Sequence, residues 1–164
     1  MIVLGIDPGY DRLGLAIIKQ EKGKQELLYS DCFLTNKKTI FSERLLALGN
    51  EVEKVIKKWQ PEVVAMEKLF FTVNQKTAMN VAEARGVITF LLAKHGLKLF
   101  DYTPLEIKTC ITGYGSADKK QMIGMIPKLI KITKEIKHDD EYDAVGVAIT
   151  YLARAPLSAL STLK

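Results

Sequence analysis

The sequence predicts a single α/β domain built on a mixed five-stranded sheet flanked by helices, with the first three strands antiparallel. Three apolar, strand-like runs follow one another at the start of the chain, whereas later short apolar runs alternate with segments of helical spacing. With 164 residues, of which 48% are hydrophobic, the chain is long enough to bury about 70% of its unfolded surface. We therefore expect one domain over residues 1–154 and a flexible tail over residues 155–164.

The first half of the sheet is predicted from the opening strand-like runs. Residues 1–7 form an apolar run that ends on Asp7, and the Pro-Gly pair after it forces a turn. Residues 13–19 and 26–34 indicate two further strands joined by a polar hairpin. Asp7 is therefore expected at the end of a buried strand.

The remaining elements alternate between helix and strand. A helix is predicted from Ser42, as its N-cap, to Trp59. A short strand is predicted over residues 63–66, and Glu67 follows its end as Asp7 lies at the end of the first strand. The two acids therefore become neighbours if those strands pair. The later predicted elements are a helix over 77–94, a strand over 98–102, a short helix from 104, a helix over 117–130 capped by Ser116, and a last helix over 140–152.

Composition narrows the class of function. Lys and Arg outnumber Asp and Glu by 24 to 19, which favours either a polyanionic partner or a solvated lysine-rich surface. The two cysteines, Cys32 and Cys110, lack metal-ligand spacing and are expected to be reduced packing residues. Since there is no run of about 18 apolar residues and no basic leader segment, we expect a cytoplasmic protein with no membrane contact.

Four carboxylates distant in the chain are expected to share one site. Burying an ionised carboxylate is costly unless it is paired or binds a metal, yet Asp7 and Glu67 both end apolar strands. Asp140 and Asp143 are three residues apart on a predicted helix and therefore project from one face. A cluster of this kind binds a pair of divalent cations that promote phosphoryl displacement. In a basic chain it predicts phosphodiester chemistry.

The two helical acids also have a purely structural explanation. Negative charges in the first turn of a helix are stabilised by its dipole, which would account for Asp140 and Asp143 without a metal. The strand-end acids favour the shared site instead. The neighbouring acids of this helix, Asp139 and Glu141, are expected to face solvent.

Basic and aromatic residues provide candidate DNA contacts. Lys119 and Lys120 follow a glycine loop at a helix N-terminus, where free amides favour phosphate, although a plain glycine turn gives the same pattern. Lys108 is a further candidate, or a simple surface lysine. Phe70 lies in a polar, basic stretch after Glu67, where an exposed ring can stack on bases. Two polar residues of the same stretch are also candidates, Asn74 and Lys76.

The helix predicted over residues 77–94 has apolar residues on more than one face. We expect one face to pack on the sheet and another to contact a second subunit.

Five motifs occur in order along nearly the whole chain: GIDPG, MEKLFF, EARG, TGYGSADKKQ and DEYDAVGVAIT. Together they resemble the bacterial RuvC Holliday-junction resolvases. The resemblance implies an RNase H-like fold, a homodimer, two Mg²⁺ ions per subunit for which Mn²⁺ can substitute, and a four-way DNA junction as substrate. It also implies paired, symmetric nicks that leave 5′-phosphates and 3′-hydroxyls, and partnership with the RuvA–RuvB branch-migration complex in recombination and repair.

The resemblance also assigns residues. The family's metal-binding acids are matched by Asp7, Glu67, Asp140 and Asp143. Its important basic residues are matched by Lys108 and Lys119, and its base-contacting aromatic residue is matched by Phe70. The chain departs from the family pattern at four positions, Tyr10, Asp11, Phe71 and Glu141. These departures affect the details of DNA contact and local charge.

Three alternatives remain at this point. A junction-binding protein without nuclease activity would require loss of a metal-binding acid, and all four are present. A RuvC-like nuclease of the YqgF group shares the GIDxG opening, but the spacing from Glu67 to Phe70 and the GYGSADKKQ segment favour the resolvase. An actin-like or sugar-kinase ATPase shares the D-x-G loop but requires two such domains, and this chain has room for one.

Overall fold

The computed structural model describes residues 1–69 and 75–154, with the side chains of residues 75 and 76 excepted. The predictions for Phe70 and Asn74, for the side chain of Lys76 and for a flexible tail over residues 155–164 fall outside the described residues. In the described part, strands and helices follow one another as β1 (Ile2–Asp7), β2 (Arg12–Glu21), β3 (Lys24–Leu34), α1 (Phe41–Trp59), β4 (Val63–Glu67), α2 (Gln75–Lys94), β5 (Lys98–Tyr102), α3 (Pro104–Thr112), α4 (Lys119–Leu129) and α5 (Asp139–Arg154).

The strands form one five-stranded sheet in the order β3-β2-β1-β4-β5. The first three strands are antiparallel, whereas β4 pairs in parallel with both β1 and β5, which confirms the predicted mixed sheet. Ile6 of β1 lies opposite Met66 of β4. The next residues, Asp7 and Glu67, therefore leave adjacent strands at the same edge of the sheet, as predicted.

The sheet separates two apolar cores, because successive side chains of a strand point to opposite faces. On one face, Val3 and Ala65 pack with α3, α4 and α5. On the other face, Leu4 and Val64 pack with α1 and α2. The central strands are thus covered on both sides, which explains their nearly continuous apolar runs.

Helix α5 lies directly on the sheet because two glycines allow it to approach. A β-carbon at Gly5 would stand 2.0 Å from the carbonyl oxygen of Ala144, and one at Gly14 would stand 2.1 Å from the carbonyl oxygen of Asp140. Any side chain at either position would push the helix away, since ordinary contact begins at 3.4 Å. We call Gly5 and Gly14 the glycine seam.

Two predicted helix starts are wrong. The N-cap of α1 is Ile40 and not Ser42, because the amides of Glu43 and Arg44 bond to the carbonyl oxygen of Ile40. The N-cap of α4 is Asp118 and not Ser116. Its carboxylate accepts a hydrogen bond from the Gln121 amide at 2.8 Å while the Gln121 side chain accepts one from the Asp118 amide at 2.9 Å, a reciprocal cap that serine at 116 does not make.

The structure also bears on membrane-spanning helices and on the state of the two cysteines. Across the described ranges 1–69 and 75–154, no helix combines the length and apolar character needed to cross a bilayer. Cys32 and Cys110 are free thiols, the former buried and the latter half-buried, in agreement with their prediction as packing residues.

Candidate active site

The four predicted acids approach one another at one edge of the sheet. Asp7 and Glu67 end β1 and β4, and Asp140 and Asp143 lie in the first two turns of α5, which crosses the sheet at the glycine seam. Burial raises the pKa of Asp7 well above its ordinary value, and the like charges of the other three acids raise it further. The other three carboxylates therefore lie within electrostatic range of Asp7.

The pKa values of Glu67 and Asp143 are raised as well. Burial raises the pKa of Glu67, the charge of Asp143 adds to the increase, and Lys119 and Lys108 oppose it. Burial likewise raises the pKa of Asp143, against a hydrogen bond from Lys119 that lowers it. Carboxylates whose ionised forms are disfavoured in this way are typical of functional sites, because binding of a cation would stabilise their ionised forms.

Two side-chain cations contact the helical acids. The Arg12 guanidinium forms a close ion pair with Asp140 and reaches Asp139 at 3.2 Å. The Lys119 ammonium forms a close ion pair with Asp143 and reaches Asp139 at 3.4 Å. Asp139 is exposed, as predicted, but it is shared by both cations. We call these five residues the ion-pair chain.

The donor set is suited to a hard divalent cation, although its side chains would have to rotate to bind one. Within residues 1–69 and 75–154, no three His, Cys, Asp or Glu side chains are grouped so that they could hold a metal ion as they stand. The Oδ2 atom of Asp140 is buried and accepts no hydrogen bond from the described residues, even though Arg12 contacts it. A buried carboxylate oxygen that lacks a hydrogen bond, beside acids with raised pKa values, fits Mg²⁺, which prefers oxygen ligands.

Two adjoining clefts give access to the acids, and both are lined by Glu67 and Pro104. The first has a volume of about 280 Å³ and is also lined by Asp7, Pro8, Lys68, Leu69 and Val81. The second has a volume of about 240 Å³ and is also lined by Ile107, Lys108, Lys119, Met122 and Asp143. Acids and lysines therefore line the second cleft together, an arrangement that can accommodate a phosphodiester beside the acidic cluster.

The predicted basic contacts take up different positions. Lys108 is half-buried on α3 and lines the second cleft. Lys119 lies between the acids, whereas Lys120 is exposed beside it at the start of α4. Lys108 and Lys119 are thus near the carboxylates, and Lys120 is available at the rim.

The expectation that Glu141 faces solvent is wrong. Its side chain is buried and accepts hydrogen bonds from Ser30 Oγ at 2.5 Å, Lys134 Nζ at 3.0 Å and the amides of Lys137 and His138. Burial alone would raise the pKa of Glu141, but these hydrogen bonds lower it below its ordinary value. The signal in the sequence was a glutamate at the third position of α5, from which a side chain can reach back to the backbone amide of the residue before the helix.

Sequence reasoning assigned no role to Arg85 of α2, although it lies in the EARG motif. Its guanidinium donates a 2.5 Å hydrogen bond to the backbone carbonyl of Glu67 and pairs closely with Asp101 of β5. It therefore holds the end of β4, from which the Glu67 side chain projects.

The family model described as "Crossover junction endodeoxyribonuclease RuvC" matches residues 3–151. A protein of that name from Ruminiclostridium cellulolyticum is 41% identical over 151 residues, covering 92% of this chain and 91% of the relative. The Thermus thermophilus RuvC structure superimposes with a TM-score of 0.86 at 28% identity, covering 96% of this chain and 97% of that one.

A second Thermus thermophilus structure, of RuvC in complex with a Holliday junction substrate, gives a TM-score of 0.89 at 27% identity and covers 96% of each chain. These neighbours confirm the predicted RNase H-like fold class. The match to the family model and to relatives over nearly the whole chain favours the resolvase prediction over its alternatives. The chain belongs to the RuvC family of crossover junction endodeoxyribonucleases.

Proposed function

We propose that this protein is a structure-selective endodeoxyribonuclease that resolves four-way DNA junctions by paired, symmetric nicks in opposing strands. The observation that supports this most directly is that Glu67, Asp140 and Asp143 all raise the pKa of Asp7, beside two clefts that Glu67 lines, in a chain of the RuvC family. The activity is hydrolysis of phosphodiester bonds, with 5′-phosphate and 3′-hydroxyl products, in DNA recombination and repair.

The four acids would hold a pair of Mg²⁺ ions, or Mn²⁺ in their place. When bound, such ions lower the pKa of an attacking water and stabilise the leaving oxygen. Asp7 is the best candidate for a shared ligand, because the charges of the other three acids all act on it. Its burial keeps bulk water from screening that charge.

Lysines would position the DNA backbone in this proposal. Lys108 and Lys119 line the same cleft as Glu67 and Asp143, within reach of a phosphate bound beside the acids. Lys120, exposed at the N-terminus of α4, would contact a more distant phosphate. Contacts of this kind fix the backbone without reading the bases, as selection by junction shape requires.

A homodimer supplies the second active site that paired nicks require. One side of α2 is buried in the core at Ala84, Ile88 and Leu92, whereas Met79 and Phe90 are exposed at 64% and 68%. Large exposed apolar side chains on a helix are typical of a protein interface. Light scattering at micromolar concentration should give the mass of a dimer, and a monomer mass would contradict this part of the proposal.

The proposed setting is the bacterial cytoplasm, with the RuvA–RuvB complex as partner on the same junction. The test of the activity compares a synthetic immobile four-way junction with a linear duplex of the same sequence, each with and without Mg²⁺. We expect nicks only in the junction with Mg²⁺ and only in opposing strands. Binding of the junction without nicking would instead support a junction-binding protein, and equal cleavage of both substrates would support a different nuclease.

A further inference from the structure

We propose that Arg12 is an internal counter-ion that competes with a divalent metal for Asp140, and that Asp139 accepts the Arg12 guanidinium when the metal binds. This inference rests on the proposed function, since it concerns the same acids. It gives roles to Arg12 and Asp139, two residues that the proposed reaction does not use.

The geometry supports a short transfer of the guanidinium. Arg12 begins β2 beside the acidic cluster, and its side chain is 44% exposed, so the guanidinium has room to move. It already contacts adjacent residues of α5, closely at Asp140 and at 3.2 Å at Asp139. A small rotation of the Arg12 side chain towards Asp139 is therefore enough to release Asp140, and the guanidinium keeps an ionic partner throughout.

The two aspartates differ in the way that this exchange requires. The Asp140 side chain is 18% exposed, and its buried Oδ2 accepts no hydrogen bond from the described residues. The Asp139 side chain is 54% exposed and faces the rim of the site. A buried oxygen gains more from a metal ion than from a guanidinium in poor hydrogen-bond geometry, whereas an exposed carboxylate holds a guanidinium at little desolvation cost.

Lys119 has a parallel arrangement on the other side of Asp139. Its ammonium pairs closely with Asp143 and lies 3.4 Å from Asp139. Asp139 is thus the common acceptor for both cations that cover the helical acids. From this position, we expect Asp139 to lower the free energy needed to move Arg12 away from Asp140 and Lys119 away from Asp143.

The inference gives two opposite expectations for metal affinity. Arg12→Gln removes the competitor, so Mg²⁺ should bind about fivefold more tightly, the equivalent of ~1 kcal/mol for a partly exposed ion pair. Asp139→Asn removes the acceptor, so Mg²⁺ should bind more weakly by a similar factor. Arg12→Lys keeps the charge and should remain close to the original affinity.

The experiment is isothermal titration of MgCl₂ into the full-length protein without DNA, after chelation has removed divalent ions. The matched control is Lys19→Gln, because Lys19 lies at the opposite end of β2, also has a 44% exposed side chain and pairs with Glu21 at 2.7 Å. This control removes the same charge far from the acids and should leave the affinity unchanged. Circular dichroism melting of each variant checks that it is folded.

The double variant Arg12→Gln with Asp139→Asn separates the exchange from a general effect of charge. If Asp139 acts by receiving Arg12, its substitution should cost clearly less affinity when Arg12 is already absent. Additive effects would overturn the assignment of Asp139. An Arg12→Gln protein that binds Mg²⁺ as the original protein does, or more weakly, would overturn the assignment of Arg12.

Failure of the proposed function would look different. If the unsubstituted protein bound no Mg²⁺, or if Asp7→Asn bound it equally well, the proposed metal site itself would be wrong. If the unsubstituted protein binds Mg²⁺ and Asp7→Asn does not, the site stands, and only the behaviour of the Arg12 and Asp139 variants decides this inference.

Discussion

Replacing Gly14 with alanine should separate the acids without changing any of them. The new β-carbon would stand 2.1 Å from the carbonyl oxygen of Asp140, 2.8 Å from its carbonyl carbon and 3.1 Å from the β-carbon of Asp7. The first distance is about 1.3 Å short of the 3.4 Å at which ordinary contact begins. Because the obstacle is backbone, α5 itself must move away from β2, taking Asp140 and Asp143 with it.

The expected effects follow from that displacement. Overpacking a close interface costs about 1–3 kcal/mol, which for a protein of this size lowers the melting temperature by about 2–12 °C. A catalytic group displaced by about 1 Å can lose on the order of 10²-fold in rate. Melting by circular dichroism and single-turnover cleavage of an immobile junction in Mg²⁺ measure the two effects.

The matched control is Gly124→Ala on α4. A β-carbon at Gly124 would have no atom within 4 Å, and alanine favours an exposed helix by about 1 kcal/mol over glycine. The control should therefore melt at the same or a slightly higher temperature. A Gly14→Ala protein that melts and cleaves as the original does would refute the claim that the glycine seam positions the acids.

Four further predictions concern individual charges. Asp7→Asn should abolish cleavage while leaving junction binding largely intact, and wild-type nicking by this variant would exclude the metal mechanism. The same variant should melt at a higher temperature at neutral pH. The raised pKa of Asp7 means that the folded chain binds more protons than the unfolded chain, so stability falls as pH rises between the unfolded and folded pKa values of this carboxyl. Asparagine carries no charge and removes this penalty. Glu141→Ala should lower the unfolding free energy by about 2 kcal/mol, measured by urea denaturation, because it leaves the Lys134 ammonium and the amides of Lys137 and His138 without their acceptor. Mg²⁺ affinity, titrated calorimetrically, should fall as pH decreases, because the raised pKa values of Glu67 and Asp143 let protons compete with the metal, and an affinity that does not change with pH would count against these ligands.

The features that could be predicted from the sequence were those with a local signature. The apolar run before Asp7 and the one before Glu67 identified two buried strands, and the structure shows that these strands pair, in parallel. The helical spacing of residues 140 and 143 correctly indicated a shared face. In each case the strand or helix itself was predicted from a pattern within about ten residues.

The features that could not be predicted depend on contacts between distant parts of the chain. Glu141 is buried because Ser30, more than a hundred positions earlier, and Lys134 meet it in space. The close approach at Gly14 depends on where α5 crosses β2, and nothing near position 14 reveals that crossing. The pairing of Arg12 with Asp139 and Asp140 joins the start of one strand to the start of the last helix.

The position of α5 in the chain has a consequence for how the protein matures. Asp7 and Glu67 leave the ribosome early, on strands that can pair as soon as β4 has been made, but Asp140 and Asp143 follow more than seventy residues after Glu67. A nascent chain that stops before residue 139 carries two of the four acids and lacks α5, which supplies the other two. The acid cluster is therefore complete only after α5 has been synthesised.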